Sequence, residues 1–408
     1  DPLDDGIDFD PAGNRDIARR MAESSIVLLD NPTGLLPLEA PQRIAVTGPC
    51  ADDPQAFFGC YAFPNHVIPM HPDFEGGIGI VTESLLEALR REFPSTEVRY
   101  EQGCQVSGGD LSGVQAAVDA VADADLVVLT VGDRAGLFGH GTSGEGCDAE
   151  DLDLPGLQPQ LVEAILETGT PTVLLAVSGR PYALGQYQGR AAAIVQAFFP
   201  GEEGGSALAG VLSGRVNPSG KLPVGIPRQA GGQPHTYLAP PLGQRSQRVS
   251  NLDPSPAFPF GHGMSYTSFG YDNLSASAAE LDTAGSVELT VTVRNTGARF
   301  GDEVVQLYAA DPVASVTRPV TQLIGFARVR LDVGESVEVT FTVHSDRLSF
   351  SGRTLERIVE PGEVTFRVGT AGETFAGPVP VRLIGETRTI RGERVMVTPA
   401  VVRQASTT

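Results

Sequence analysis

The chain has 408 residues, too many for one compact domain of ordinary size, so two or three domains are expected. Hydrophobic residues make up 41 %, enough for real cores, which argues against disorder. A formal net charge of −21 repels phosphate backbones and anionic lipid surfaces, which argues against a nucleic-acid or membrane-surface role.

Residues 1–13 are acidic and irregular. Asn14 then fits as the cap of a helix whose apolar stripe is Ile17, Ala18, Met21 and Ala22. A short apolar run, SSIVLLDN, closes at Asn31-Pro32. From residue 43 strands and helices alternate. Strands are expected at 43–49, 97–103, 125–132, 170–179 and 191–199, and helices at 81–93, 114–124, 157–169 and 206–214. Strict alternation predicts an α/β sandwich with a mainly parallel sheet covered on both faces, whose ligands gather at the carboxyl ends of the strands. Residues 215–269 lose this period and, being rich in Pro, Gly and Gln, read as a long ordered connector.

After residue 270 the pattern changes to short alternating strands, at 286–297, 302–310, 322–343 and 363–370. Turn signals at Asn295-Thr296-Gly297 and Val333-Gly334 punctuate them, which predicts an all-β sandwich of immunoglobulin or fibronectin type. The expected organisation is an entry segment over 1–39, an α/β domain over 40–228, a connector over 229–269, a β domain over 270–386, and a polar tail over 387–408 with one more strand-like stretch.

The four cysteines form no Cys-x-x-Cys pair, and no His, Asp or Glu group has metal-ligand spacing, so no metal site is expected. Cys50 and Cys60 fit either a short bridged loop or two buried thiols. No run of ~18 apolar residues occurs, so no membrane span is expected. No leader is visible and residue 1 reads as the middle of a protein, which leaves localisation unassigned.

The most informative stretch is GDRAGLFGHGTSGEGCDAEDLDLPG, residues 132–156, which follows an expected strand directly. It holds six glycines before Pro155, and Glu145 to Asp153 carries five carboxylates. A loop this long at a strand's carboxyl end is usually functional. Gly139, Gly141 and Gly144 spell G-x-G-x-x-G, but six residues separate that motif from Gly132 and a run of carboxylates follows it instead of an apolar helix. A pyrophosphate would be repelled there, so nucleotide binding is rejected. No G-x-S-x-G elbow is present, because position 145 is Glu.

TSGEGCDAEDLDLPGLQ (142–158) resembles the acid/base loop of family 3 glycoside hydrolases. Further segments resemble the same family in the same order: SIVLLDNPTGLLPL (25–38), FFPGEEGGSALAGVLSGRVNPSGKLPVGIPR (198–228), FPFGHGMSYTSF (258–269), VRNTGARFGDEVVQLY (293–308) and QLIGFARVRLDVGESVEVTF (322–341). The resemblance implies an α/β sandwich domain followed by a fibronectin type III-like domain. It also implies a retaining exo-β-glycosidase, acting on a β-glucoside or β-xyloside, that needs no cofactor. Its nucleophile would be an Asp on a preceding (β/α)8 barrel, which this chain does not contain; the barrel, in cis or as a separate chain, would be the partner.

On this reading Glu145 is the general acid/base. A lone Glu would read as a solvated loop charge; the surrounding motif reverses that. Protonating a glycosidic oxygen requires a raised carboxyl pKa, which desolvation and a like-charged nucleophile supply. Gly144 and Gly146 suggest a mobile loop brought into position by domain docking. Asp148 matches a recurring family position, with pairing to Arg134 as an equal reading. Phe138, His140 and His66 are candidate sugar-site residues, with loop packing as the plainer alternative. His262 reads as structural. The competing function is a non-catalytic carbohydrate-binding or structural module of a larger protein; the absence of Trp weakens a pure lectin.

Overall fold

The computed structural model describes residues 10–71, 73–231, 236–245, 249–251 and 253–405. Described residues of 1–220 and 227–233 form one compact unit, and those of 221–226 and 234–408 a second.

The first unit runs α1 (Ala12–Ser25), β1 (Val27–Asp30), β2 (Arg43–Thr47), α2 (Phe63–His66), α3 (Leu85–Glu92), β3 (Glu97–Glu101), α4 (Val114–Val121), β4 (Leu126–Gly132), α5 (Gln158–Glu167), β5 (Thr172–Val177), β6 (Ala193–Gln196) and α6 (Gly204–Ser213). Its six-stranded sheet has the order β1-β6-β5-β4-β2-β3. All neighbours are parallel except β1, which joins the β6 edge antiparallel. Every residue of β4 and β5 is buried, so these strands are continuous apolar runs, as a sheet covered on both faces requires. Helix α3 packs on α6 and α6 on α1, while α4 packs on α5.

Local chemistry explains the helix boundaries. Ser84 Oγ accepts from the Glu87 amide while the Glu87 carboxylate accepts from the Ser84 amide, a reciprocal cap that starts α3 four residues later than its pattern suggested. Helix α1 starts at Ala12, directly after Pro11, so Asn14 lies in its first turn and does not cap it. Of the stripe expected on α1 only Ala22 is buried; Ile17 and Met21 are exposed.

The chain passes from β2 to its neighbour β3 on one side and then crosses from β3 to β4 on the other side of β2. The carboxyl ends of β2 and β4 therefore form the topological switch point, where open α/β sheets bind ligands.

The second unit is all-β apart from short turns. It contains β7 (Phe269–Ala276), β8 (Glu280–Asp282), β9 (Ser286–Asn295), β10 (Gly301–Ala310), β11 (Gln322–Leu331), β12 (Ser336–His344), β13 (Phe350–Ser351), β14 (Arg357–Val359), β15 (Gly362–Gly369), β16 (Thr374–Ile384), β17 (Arg388–Thr389) and β18 (Ala400–Gln404). The two main sheets run β11-β10-β15-β16-β8 and β18-β12-β9-β7. Alternate residues of β9 and β12 point inward, and Val291, Val293, Leu307, Phe341 and Phe366 meet in a common core. The strand-like stretch of the tail is β18, which extends the second sheet from Val337↔Gln404 to Phe341↔Ala400.

All four cysteines are free thiols, so Cys50 and Cys60 form no bridge; Cys50 is buried and Cys60 half-buried. Burial pushes the Cys104 thiol up to about 11 and Cys50 well above its ordinary value, so both stay protonated and behave as small apolar groups. Among the described residues no helix is long and apolar enough to cross a membrane.

Candidate active site

Two long loops leave the switch point, 48–84 after β2 and 133–157 after β4. Each begins at a glycine that a side chain could not replace. A Cβ on Gly48 would lie 2.1 Å from Thr130 O, and one on Gly132 1.9 Å from Val177 O. The second loop is stapled where it closes. Fully buried Gln158 accepts from the Gly132 amide at 2.8 Å and donates to the Gly132 carbonyl at 2.8 Å, so the residue that ends the loop grips the one that begins it.

Between those ends the chain folds back on itself. The Gly136 amide donates to Ser143 O, the Thr142 amide to Arg134 O and the Phe138 amide to Glu145 O. Gly136 and Gly141 approach so closely that a Cβ on either would strike the other's backbone. The glycines beside Glu145 adopt left-handed backbone, φ +120° at Gly144 and +70° at Gly146. They hold Glu145 exposed at the tip of a tight double turn. The loop is therefore held along its length rather than free, which differs from the mobility its glycine content suggested. Glycine here permits close packing, not disorder.

The Glu145 carboxylate accepts from the Tyr61 hydroxyl, and the Tyr61 ring meets the His66 ring edge-on. His66, Phe138 and His140 all line one cleft of about 500 Å³, with Arg134, Gln55 and Met70. Glu145 thus touches the cleft's walls twice, at Phe138 through the backbone and toward His66 through Tyr61. Phe138 is 73 % exposed at φ +54°, an unusual arrangement for an aromatic and one that leaves its ring free to contact a ligand.

Asp148 stands apart. It is exposed and lines a separate hollow with Asp151, Asp153 and Tyr182. The expected pairing with Arg134 does not occur: Arg134 binds Asp53 and donates to Gln55 Oε1 at 2.6 Å. Glu150 and Asp151 are likewise exposed.

Sequence reasoning missed the layer beneath the loop. Asp133 is fully buried; its Oδ1 accepts from Thr142 Oγ1 at 2.7 Å and from the Tyr182 hydroxyl, and its Oδ2 from the Gly179 amide at 3.0 Å. Burial, then the charge of Asp133, pushes the Tyr182 phenol far up, so it remains a donor. Arg180 donates to Thr142 O at 2.6 Å and to Cys147 O at 2.8 Å. The one sequence signal for this layer was an acid placed directly after an apolar strand. No helix starts within 139–157, which disposes of the glycine motif as a phosphate cradle. No group of three metal-ligating side chains exists among the described residues.

The family model for the glycosyl hydrolase family 3 C-terminal domain matches residues 26–266, and that for a fibronectin type III-like domain matches 303–371. A β-xylosidase from Formosa agariphila is 35 % identical over 365 residues, covering 88 % of this chain and 49 % of that protein. A periplasmic β-glucosidase from Salmonella typhimurium is 32 % identical over 376 residues, covering 87 % and 48 %. A β-glucosidase from Listeria innocua, solved in complex with glucose, aligns with a TM-score of 0.80 at 30 % identity, over 93 % of this chain and 51 % of its own. The chain spans about half the length of the relatives it matches.

Proposed function

The chain belongs to glycosyl hydrolase family 3, and from that premise we propose that it is the acid/base-supplying half of a retaining exo-β-glycosidase acting on terminal β-linked glucose or xylose. Glu145 is the general acid/base, and the nucleophilic Asp lies on a (β/α)8 barrel outside this chain. His66, Phe138 and His140 contact the sugar or the leaving group; Asp148, in a separate hollow, serves the loop's outer wall instead.

One observation carries this reading. A carboxylate held between two left-handed glycines stands exposed beside a cleft at the switch point, with no cation of the described residues paired to it. A structural carboxylate would be expected to pair or cap. Among the described residues this one accepts from the Tyr61 phenol and stays exposed, open to a docked barrel. In the first step the protonated Glu145 gives its proton to the glycosidic oxygen as the nucleophile attacks the anomeric carbon. In the second the carboxylate takes a proton from water, which releases the sugar with retained configuration.

The test is Glu145→Ala in the barrel-bearing enzyme. Hydrolysis of a disaccharide should fall ~10²–10⁴-fold. Glycosylation by an aryl glycoside with an acidic phenol should suffer least, and azide should restore turnover and yield a β-glycosyl azide. Intact disaccharide hydrolysis, or azide rescue that maps to Asp148→Ala, would remove Glu145 from the role. A chain that binds sugar yet forms no active enzyme with any barrel would favour the non-catalytic module.

A further inference from the structure

Resting on Glu145 as the acid/base, we propose that Arg180 and Asp133 are positioning residues that set the working conformation of the loop carrying it, without touching substrate.

Arg180 follows β5 directly, and its guanidinium bridges two carbonyls on opposite sides of Glu145: Thr142 O at 2.6 Å and Cys147 O at 2.8 Å. The planar fork presents a separate nitrogen to each carbonyl in fixed geometry, which the point charge of an ammonium does not. Asp133 acts on the same segment from below. Its Oδ1 takes the Thr142 hydroxyl, and its Oδ2 is tied to the Gly179 amide beside Arg180. Thr142 is thereby held three ways: by its amide to Arg134 O, its hydroxyl to Asp133 and its carbonyl to Arg180. Five residues later Cys147 is held again, by Arg180 and by its own amide on Gly144 O. Glu145 lies between two fixed points.

The sheet itself does not need these charges. Strands β4 and β5 are apolar and complete their own ladder, and burying a carboxylate there is costly without return elsewhere. The hydrogen bonds of both charged groups run to the loop, to its Gly179 anchor and to Tyr182. An acid/base group displaced by ~1 Å loses about 10²-fold, so such a clamp acts on the proton-transfer step.

Arg180→Met in the barrel-bearing enzyme should lower kcat/KM on a disaccharide roughly 10–100-fold, with KM little changed. Glycosylation by an activated aryl glycoside should stay near wild type, and azide should accelerate its turnover. Arg180→Lys should recover part of the disaccharide rate. Should Arg180→Met not fold, Thr142→Val removes the hydroxyl that donates to Asp133 and accepts from the Arg134 amide, leaves both charged groups in place, and should produce the same leaving-group dependence at several-fold size. Equal losses on both substrates in step with a lower Tm, or unchanged leaving-group dependence in Thr142→Val, overturn the proposal. Glu145→Ala run in parallel separates the causes. If it shows the leaving-group signature and the Arg180 variants do not, only the clamp is wrong. If it shows none, the acid/base reading fails and the clamp falls with it.

Discussion

In the first unit β4 and β5 are buried along their whole length, whereas β9 and β12 of the second alternate inward and outward residues. A strand buried on both faces offers ligands no side chain, so variation is pushed to its ends. There the first unit carries its exposed aromatics: Phe138 lines the cleft, and Tyr61, Phe63 and Phe74 stand on the loop after β2. In the second unit the exposed rings Phe326 and Phe375 sit on strands, Phe375 against the Tyr271 ring. If Glu145 is the acid/base as proposed, substitutions in the first unit's loops and in the second unit's core should separate chemistry from stability.

The largest separation is expected at Glu145. Its change to Ala should remove ~10²–10⁴-fold of disaccharide hydrolysis while leaving Tm within about 1 °C, because the side chain is exposed. The chain without a barrel should give no turnover of aryl β-glycosides above background, since one carboxylate cannot complete the double displacement; robust turnover would mean the nucleophile lies within it. The converse change is Phe341→Ala. Phe341 is 0 % exposed in the core of the second unit, and its loss should cost about 3–5 kcal/mol while kcat per folded molecule stays constant at low temperature. Calorimetry and active-site titration together check both halves. A Phe341 variant with altered kcat would break the comparison.

Two glycines sharpen it at smaller size. Both have positive φ, +120° at Gly144 and +78° at Gly334 in the β11–β12 turn. A Cβ on Gly144 would meet Gly136 O at 2.2 Å and Cys60 Cβ at 2.7 Å, whereas one on Gly334 meets nothing within 4 Å. Gly334→Ala should therefore cost only left-handed strain, ~1–2 kcal/mol, with no effect on rate. Gly144→Ala should cost about 2–3 kcal/mol and also slow disaccharide hydrolysis, because the turn that presents Glu145 must shift.

This contrast also explains what was legible in the sequence. β4 could be read because its seven residues, five of them Leu or Val, form one buried run, and β9 because its alternation is unbroken. The loop was legible as a functional loop because glycines and acids replace apolar period there. Its inner order was not. Asp133 and Arg180 lie 47 residues apart in the chain numbering and reach the same loop only because β4 and β5 are neighbours. Arg134 was assigned to Asp148 by proximity along the chain, yet its partner Asp53 comes from the loop after β2. Tyr61 gave no signal at all, since nothing local marks it as a partner of Glu145. The exposed side of α1 shows the same limit: a helical period marks an apolar stripe but not what covers it.

The smallest effect is electrostatic and belongs to the second unit. Asp346 lies just after β12 and is 6 % exposed. Its Oδ1 pairs with Arg388 and its Oδ2 accepts from the Val395 amide at 2.9 Å, so it ties the segment after β16 back to the sandwich. Burial alone would raise its carboxyl pKa. The hydrogen bond from Arg388, the Val395 amide and the charges of His344 and Arg388 outweigh that and hold it below the ordinary carboxylate value. A depressed folded pKa means that the unfolded chain takes up protons first, so the ionised form stabilises above the unfolded value of about 3.9 and its contribution is lost as pH falls through the lower, folded one. Asp346→Asn should therefore be less stable than wild type by a constant margin from neutral pH down to about 5, and the margin should narrow below about pH 4. On the proposed assignment of the acid/base to Glu145, glycosidase activity of the barrel-bearing enzyme should be unchanged throughout that range relative to wild type, because the pair lies in the other unit. Denaturant titrations of the two proteins at intervals from pH 7 to 3 measure the margin directly. A margin that does not narrow would show that Asp346 acts through its hydrogen-bond geometry alone, which Asn can only half reproduce, and that its charge contributes nothing to the fold.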